Sequence, residues 1–586
     1  MAAPKINRFS YRRLVVGHVP VQPAVRMQML TVGMACAVLA SYVESAHARG
    51  GILPSVRSRT THLQLARPPD VPTDAQLEAD GAHVGTVTVD PENIFDPALP
   101  AENTSLFRLA NHLHIRTRES TVRAQLLFRP GDLYRGRLLE ESARILRNTR
   151  YLQDAQIVPM AYHDGMVDVA VVTHDVWTLN PGISFGRKGG KNTAGIEIED
   201  LNFLGTGAEI SLGRKSGVDR TSTTFLYHAP QIMGSWWSTT VGYSNNSDGR
   251  TQQFTLEHPF YALDTHWATG FSGLRDERVD SLYDLGHVID QFGTDVRTAT
   301  VYGGWSRGLE NGWTRRLTAG FTYDDTEFTP IVGETGPTRV LPANRKLAYP
   351  WIGYQWVQDD FEIARNRDQI EKTEDVHLGL QAHISLGYAA PSFGADRDAL
   401  IFTAGLARGF EPSDRERLLL SSSLVGRRED GRFADVLGGV SARYYYRQSE
   451  HRLLFLSAST DVTSHPDLDH QLLLGGDNGL RGYPLRYQGG QGRWLVTAEQ
   501  RLYTNWYPFR LFNVGGALFY DMGGTWGSNP TGSPPQGVLR DVGFGLRLGN
   551  SRSALGNVLH IDLAFPLDGD PSISHVQLLV ETQRSF

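Results

Sequence analysis

The sequence predicts a mainly β protein: an antiparallel transmembrane β-barrel preceded by one small domain of β-α-α-β-β order. Three observations carry this prediction. Beyond Asn180, segments of about ten residues alternate apolar and polar, each closed by Gly, Asn or Asp, as barrel strands do. Helical spacing is confined to a stretch of under 100 residues before them. The chain opens like an exported protein, and its 586 residues include 61 glycines but only 40% hydrophobic residues, a composition for strands and turns.

Residues 1–48 read as a signal peptide. Arg12, Arg13 and Arg26 supply a basic region, "MLTVGMACAVLASYV" an apolar core, and Ala46-His47-Ala48 a cleavage site. The alternative is a membrane anchor, for which the apolar run is short. Cys36, the only cysteine, lies in this core, so the mature chain would have no disulfide. Removing the leader takes away five basic groups and one acidic group, moving the formal charge from −6 to −10. That balance gives no footprint for nucleic acid. No later run of 18 apolar residues predicts a transmembrane helix.

Residues 49–83, rich in Pro, Arg, Thr and Asp without apolar periodicity, read as a flexible linker. The small domain is expected over 84–179. "VRAQLLF" and "RLLEESARILRNTRYL" have helical spacing, and Asp164-Gly165 is a two-residue turn signal between two alternating runs. An earlier strand falls at "VGTVTVD" or "HLHIRT". The barrel is expected over 180–586. In "DVGFGLRLG", Val542, Phe544, Leu546 and Leu548 share one face, opposite Gly543, Gly545 and Arg547. In "LHIDLAFPL", Leu559, Ile561 and Leu563 oppose His560 and Asp562. A bilayer demands closure of such a sheet, because every backbone N–H and C=O must be paired internally. Counting segments gives roughly twenty strands as an upper figure. The chain ends on Phe586, in parity with Val576, Leu578 and Val580, as a last barrel strand would.

One segment breaks the strand pattern. "LLLGGDNGLRGYPLRYQGGQG", residues 472–492, is too glycine-rich for a strand and sets Arg481 between apolar and glycine neighbours, with Tyr483 two residues on. It is followed by "WLVTAEQRLY" and "NVGGALFYDMGGTWG". In these, Trp494, Val496 and Ala498 take the outer face, so Glu499 points inward; Val514, Leu518, Tyr520 and Met522 do the same for Asp521. A loop folded into the lumen could carry Arg481 to both carboxylates, where a guanidinium's planar fork bonds two acceptors and stays charged. The alternative is a surface turn with a solvated arginine.

This series resembles the C-terminal half of the Omp85 superfamily, the surface antigen D15-type outer-membrane barrels that insert or translocate other proteins. The resemblance rests on Arg481-Gly482-Tyr483, Glu499 in the next strand and Asp521 in "FYDMG". It extends to "GIEIEDLNFLGTGAEISLG" (Gly195 to Gly213), which looks like the start of such a barrel, and the unit at 84–179 resembles the periplasmic POTRA module. The resemblance implies sixteen strands and a bacterial outer-membrane location, with the POTRA-like unit in the periplasm. It also implies client polypeptides received there by strand addition, contact with outer-membrane lipids and periplasmic partner proteins, and action without a cofactor. The departures are Tyr483 where phenylalanine is frequent, a single POTRA-like unit, no N-terminal plug helix and a segment count above sixteen.

Enzyme signatures are missing from the sequence. The G-x-S-x-G matches at 182–186 and 304–308 sit in alternating segments and form no strand-to-helix elbow, there is no H-E-x-x-H, and the glycine-rich stretches do not lead into helices as phosphate loops do. His560 and Asp562 read as lumen polar groups without a nucleophile. A passive channel or a lipid-handling barrel is the competing expectation.

Overall fold

A computed structural model describes residues 65–586 except 366, 369–372, 509–510, 530–531, 551, 554–557 and 584–586. The expected signal peptide, the first part of the expected linker and Phe586 lie outside the described residues. No helix among those described is long and apolar enough to cross a membrane.

The small domain has four helices and three strands in the order α1 (Asp74–Ala79), β1 (His83–Glu92), α2 (Ser105–Leu113), α3 (Glu119–Arg123), α4 (Gly136–Arg147), β2 (Leu152–His163) and β3 (Met166–Asp175). Its sheet runs β1-β3-β2, with β1 parallel and β2 antiparallel to the central β3. Asp164 (φ 49°) and Gly165 (φ 76°) make the tight β2–β3 turn in the left-handed region. On α4, Leu139 and Leu146 face the sheet, while Arg144 and Arg147 occupy the last turn, where cations suit the helix dipole. Leu146 packs with Val84, Val167 and Val169 in one apolar core.

Two expectations need correction here. The linker does not run to residue 83. Thr73 caps α1 in a capping box with Gln76, and Leu77 is buried in the core shared with Val84 and Leu146, so at least residues 73–83 belong to the domain. A helix with one buried leucine has no periodicity to read. Of the two candidates for the first strand, "VGTVTVD" forms β1, whereas "HLHIRT" ends α2 and continues as coil.

After Leu179 the chain forms a closed antiparallel barrel of twenty strands among the described residues. The sixteen implied by resemblance is therefore too few, and the count of alternating segments is the better guide. Outward positions carry a lipid-compatible belt: Ile183 and Phe185, Ile196 and Ile198, Phe544 and Leu546 are exposed, while inward neighbours such as Asp541 and Arg547 are buried. An exposed belt of this kind on a closed sheet is stable only in a bilayer. Three strands, Trp267–Asp284, His287–Glu310 and Trp313–Pro330, have 18, 24 and 18 residues, well beyond the 9–11 that span a bilayer, and project past it.

Closure is uneven. The first two barrel strands, Leu179–Lys188 and Lys191–Phe203, share ten registered pairs. The last strand, Gln577–Gln583, meets the first through one pair among the described residues, Val580 with Arg187. Lys188 Nζ reaches Glu581 Oε2 at 2.9 Å across this seam.

The small domain is seated on one end of the barrel. Arg147 makes a bidentate pair with Asp375 (2.8 and 2.6 Å), Leu263 N donates to Glu141 Oε1 (2.8 Å), and Trp177 N donates to Arg552 O (2.8 Å).

Candidate functional site: an arginine tether inside the barrel

Residues 472–492 leave the wall at the end opposite the small domain and fold inward. Leu472–Leu474 pairs with Gln488–Gly490 as a short stem, and the glycine-rich tip lies between them. Two glycines are required by their surroundings. Gly479 has φ +124°, and a Cβ there would sit 2.1 Å from Leu495; a Cβ on Gly482 would meet Asp541 Cβ at 2.7 Å.

Arg481 stands at the tip. Its Nε and Nη2 donate to Asp521 Oδ2 and Oδ1 at 2.7 and 3.0 Å, the fork geometry that a carboxylate matches, and its Nη1 donates to Glu499 Oε2 at 2.9 Å. Its guanidinium carbon lies 3.4 Å from the centroid of the Phe519 ring, so the cation is also stacked. The backbone N–H of Gly482 donates to Asp541 Oδ2 (3.0 Å). The Tyr483 hydroxyl lies 2.8 Å from Arg540 O and accepts from Arg540 N at 3.1 Å, while its ring packs with Leu480, Leu539 and Ile573. The residues singled out by sequence therefore meet: Arg481, Glu499 and Asp521 directly, Gly482 and Tyr483 through the adjoining strand.

Several partners were not assigned to the tether, although Arg547 and Asp562 were placed on the inward face. Asp521 and Asp541 face each other across the strand pair, and Arg501 and Arg547 approach Glu499 at 3.1 and 3.6 Å. Arg547 also pairs with Asp562. Three guanidiniums thus sit among four carboxylates, and this near-balance is what lets so many charges lie inside the wall. Asp541, Asp562, Arg547 and Phe519 were all legible by the inward parity that located Glu499 and Asp521. His560 is buried in the same wall.

The loop is held at other points too. Arg486 (φ +56°) makes a bidentate pair with Asp219 (2.7 and 2.7 Å) and lies over Tyr283 at 4.2 Å. Ahead of the stem, His470 touches Asp435 (2.8 Å) and Asp469 (3.2 Å), with Arg345 on Asp469 and Arg427 on Asp435. Asp435, Asp467 and His470 lie close enough to share a cation, but those two arginines already meet their carboxylates. The cluster is an ion-pair network.

From the small domain's end a second element reaches in. Phe361–Arg365 and Thr373–His377 form a separate two-stranded hairpin that is not part of the ring's sheet. Glu362 is gripped by Arg417 (2.6 and 2.5 Å), Arg367 O accepts from Arg501 Nη1 (2.7 Å), and Asp368 accepts from the Tyr445 hydroxyl (3.1 Å). Arg501 therefore touches Glu499 of the tether and the hairpin at once.

A closed barrel with a lipid-facing belt, a small α/β domain at its N-terminal foot and an arginine loop tethered inside is a transmembrane β-barrel with an internally held loop. No family model matches the chain. A putative outer membrane protein assembly factor of Treponema pallidum (strain Nichols) is 28% identical over 135 residues, 22% of this chain and 16% of that protein's length, so the chain spans about a sixth of the relative it matches. Among solved structures, CdiB from Escherichia coli is similar at 12% identity, over 97% of this chain and 100% of that one, with a TM-score of 0.43. BamA from Haemophilus ducreyi lacking POTRA domains 1-3 is similar at 12% identity, over 86% and 85%, with a TM-score of 0.38.

Proposed function

We propose that the chain is a non-enzymatic outer-membrane factor that inserts or translocates polypeptides, with the small domain as a POTRA-like receiver on the periplasmic side. The observation that carries this reading is a lumen occupied from both ends, beside a seam with one registered strand pair. A passive channel needs an open path, but here the Arg481 loop and the Arg367–Asp368 turn both lie inside the wall. Polypeptide work needs a place where strands can part, and the seam between Leu179–Lys188 and Gln577–Gln583 has the fewest pairs to break among the described residues. The receiver's edge strand is β2, since β3 is central and the start of β1 is occupied by the segment 131–134; Arg147 Nη1 donates to Ala155 O, so the edge open to pairing begins past Ala155. An extended client adds there by main-chain bonds, which is how one small domain serves many sequences. Pro159 removes one donor from β2 and keeps that edge from pairing along its whole length.

A photo-crosslinking residue at Gln156 tests this in cells. Envelope polypeptides should be trapped from Gln156, and not from exposed Asp80 beyond α1. Equal trapping at the two positions, or none at Gln156, removes the receiver role.

A further inference from the structure

The helix α2 has two apolar faces, and the fold uses one. Phe107 stacks on Phe95 (centroids 4.1 Å apart, 11° between planes) and packs with Ile94, Ala110, Trp177 and Leu511. Asn111 fixes the helix by bonding both backbone groups of Phe95 (3.1 and 2.7 Å). Leu106, Leu109 and Leu113 fall within about 60° of one another on the helix and well off that face. They are 64, 53 and 62% exposed, and Ile115 just beyond is 51% exposed.

The helix's seat says what covers this second face. Trp177 precedes Leu179 by two residues and shares its parity, and Leu179, Ile183 and Phe185 form the outward, lipid-facing side of the first barrel strand. By packing on Trp177, α2 lies against the foot of that outward side. The end of the second barrel strand and the turn after it add exposed Phe203 and Leu204, and the turn before Leu511 adds Trp506, 65% exposed. The leucine face thus continues the barrel's belt past its rim. Residues 105–118 carry three arginines, Arg108, Arg116 and Arg118, all exposed, and no carboxylate. Leucines on one side and arginines beside them, without acid, are the composition of a helix lying at a lipid headgroup boundary.

We propose that the Leu106/Leu109/Leu113 face of α2, with Ile115, is an interfacial membrane anchor that seats the small domain on the bilayer leaflet next to the barrel seam, its arginines meeting lipid phosphates. This goes beyond the transport reading and does not depend on it. The anchor fixes the domain's height and orientation beside the first strand.

Cys36 is the chain's only cysteine, so Cys36→Ser variants can carry one chosen thiol. An environment-sensitive fluorophore is placed at Leu109→Cys, Leu113→Cys and, as reference, Asp164→Cys. Asp164 lies in the β2–β3 turn, a ten-residue strand or roughly 33 Å from the barrel's foot. The full chain is reconstituted in vesicles of phosphatidylethanolamine and phosphatidylglycerol, some bearing a nitroxide near the glycerol backbone. The shift of barrel mobility on heating verifies folding in each variant. Quenching at Leu109 and Leu113 several-fold above that at Asp164, with a blue shift, is expected. Quenching no greater than at Asp164 at both positions overturns the proposal. So does a dye that is water-exposed in vesicles yet shielded in whole cells, because the face would then belong to a protein partner.

Discussion

Arg481 works because, at the tip of a loop, it reaches two carboxylates on adjacent strands. Breaking a buried pair by removing one partner costs about 3–5 kcal/mol, and Arg481→Ala leaves Asp521 facing Asp541 without its counter-charge while Glu499 keeps only Arg501 and Arg547. The expected result is a lower midpoint for loss of the folded barrel on heating in detergent. Asp521→Ala added to Arg481→Ala should recover part of the loss, with a coupling above about 0.5 kcal/mol in the double-mutant cycle. Arg481→Lys should rescue only partly, since an ammonium reproduces neither the fork on Asp521 nor the stack on Phe519. Tyr483→Phe keeps the ring in its apolar seat and loses one hydroxyl, so its cost should be smaller, about 0.5–1.5 kcal/mol.

His470 offers a pH test outside the membrane-spanning strands. Burial pulls its pKa down, but hydrogen bonds to Asp435 and Asp469 and their charges outweigh burial, and the net shift is upward. A raised folded pKa means that stabilisation is full below the ordinary histidine value and is lost as pH rises through the higher folded value. His470→Gln should therefore destabilise more at pH about 6 than at pH about 9; an equal penalty at both would mean that the imidazole is not charged there. Side-chain parity made Glu499 and Asp521 legible because a strand has only two faces. Arg486 with Asp219 was not legible, since which loops meet over a lumen depends on the ring's curvature and not on local pattern.

At the scale of elements, the hairpin Phe361–His377 matters most. It ties the small domain to the lumen: Arg147 holds Asp375 on one side, and Arg501 holds Arg367 O on the other. Arg147→Ala should loosen it, read as faster amide exchange in both 361–377 and β2 while the far barrel strands are unchanged. Exchange confined to α4 would show that the bidentate pair does not hold the hairpin. Segment counting alone cannot place this hairpin, because alternation tells which residues share a face but not whether a strand joins the ring. A different limit hid α1, whose six residues carry a capping signal and a single buried leucine. The long, strongly alternating elements, by contrast, were legible as class and near-count.

The whole molecule is a ring whose strands number twenty among those described, and family likeness alone implied four fewer. Segment counting did better because each barrel strand must present its own apolar face to lipid, and that requirement is written locally. What sequence could not show is how unevenly the ring closes, since pairing between first and last strands spans the full barrel. The seam pairs Val580 with Arg187 and is bridged by Lys188 and Glu581. Lys188→Ala removes that bridge, and because a partly exposed pair contributes only about 0–1 kcal/mol, folding should be retained while the seam opens more readily to a lipid-soluble label. The central claim is that this seam parts when the protein handles a polypeptide. Its most direct test is a reversible lock: Arg187→Cys with Val580→Cys in a Cys36→Ser chain, facing positions at disulfide spacing for neighbouring strands. With the disulfide formed, the level of newly assembled or exported envelope proteins that depend on this chain should fall to that of cells lacking it, and reductant should restore it. Undiminished assembly and export with the disulfide fully formed would contradict the account.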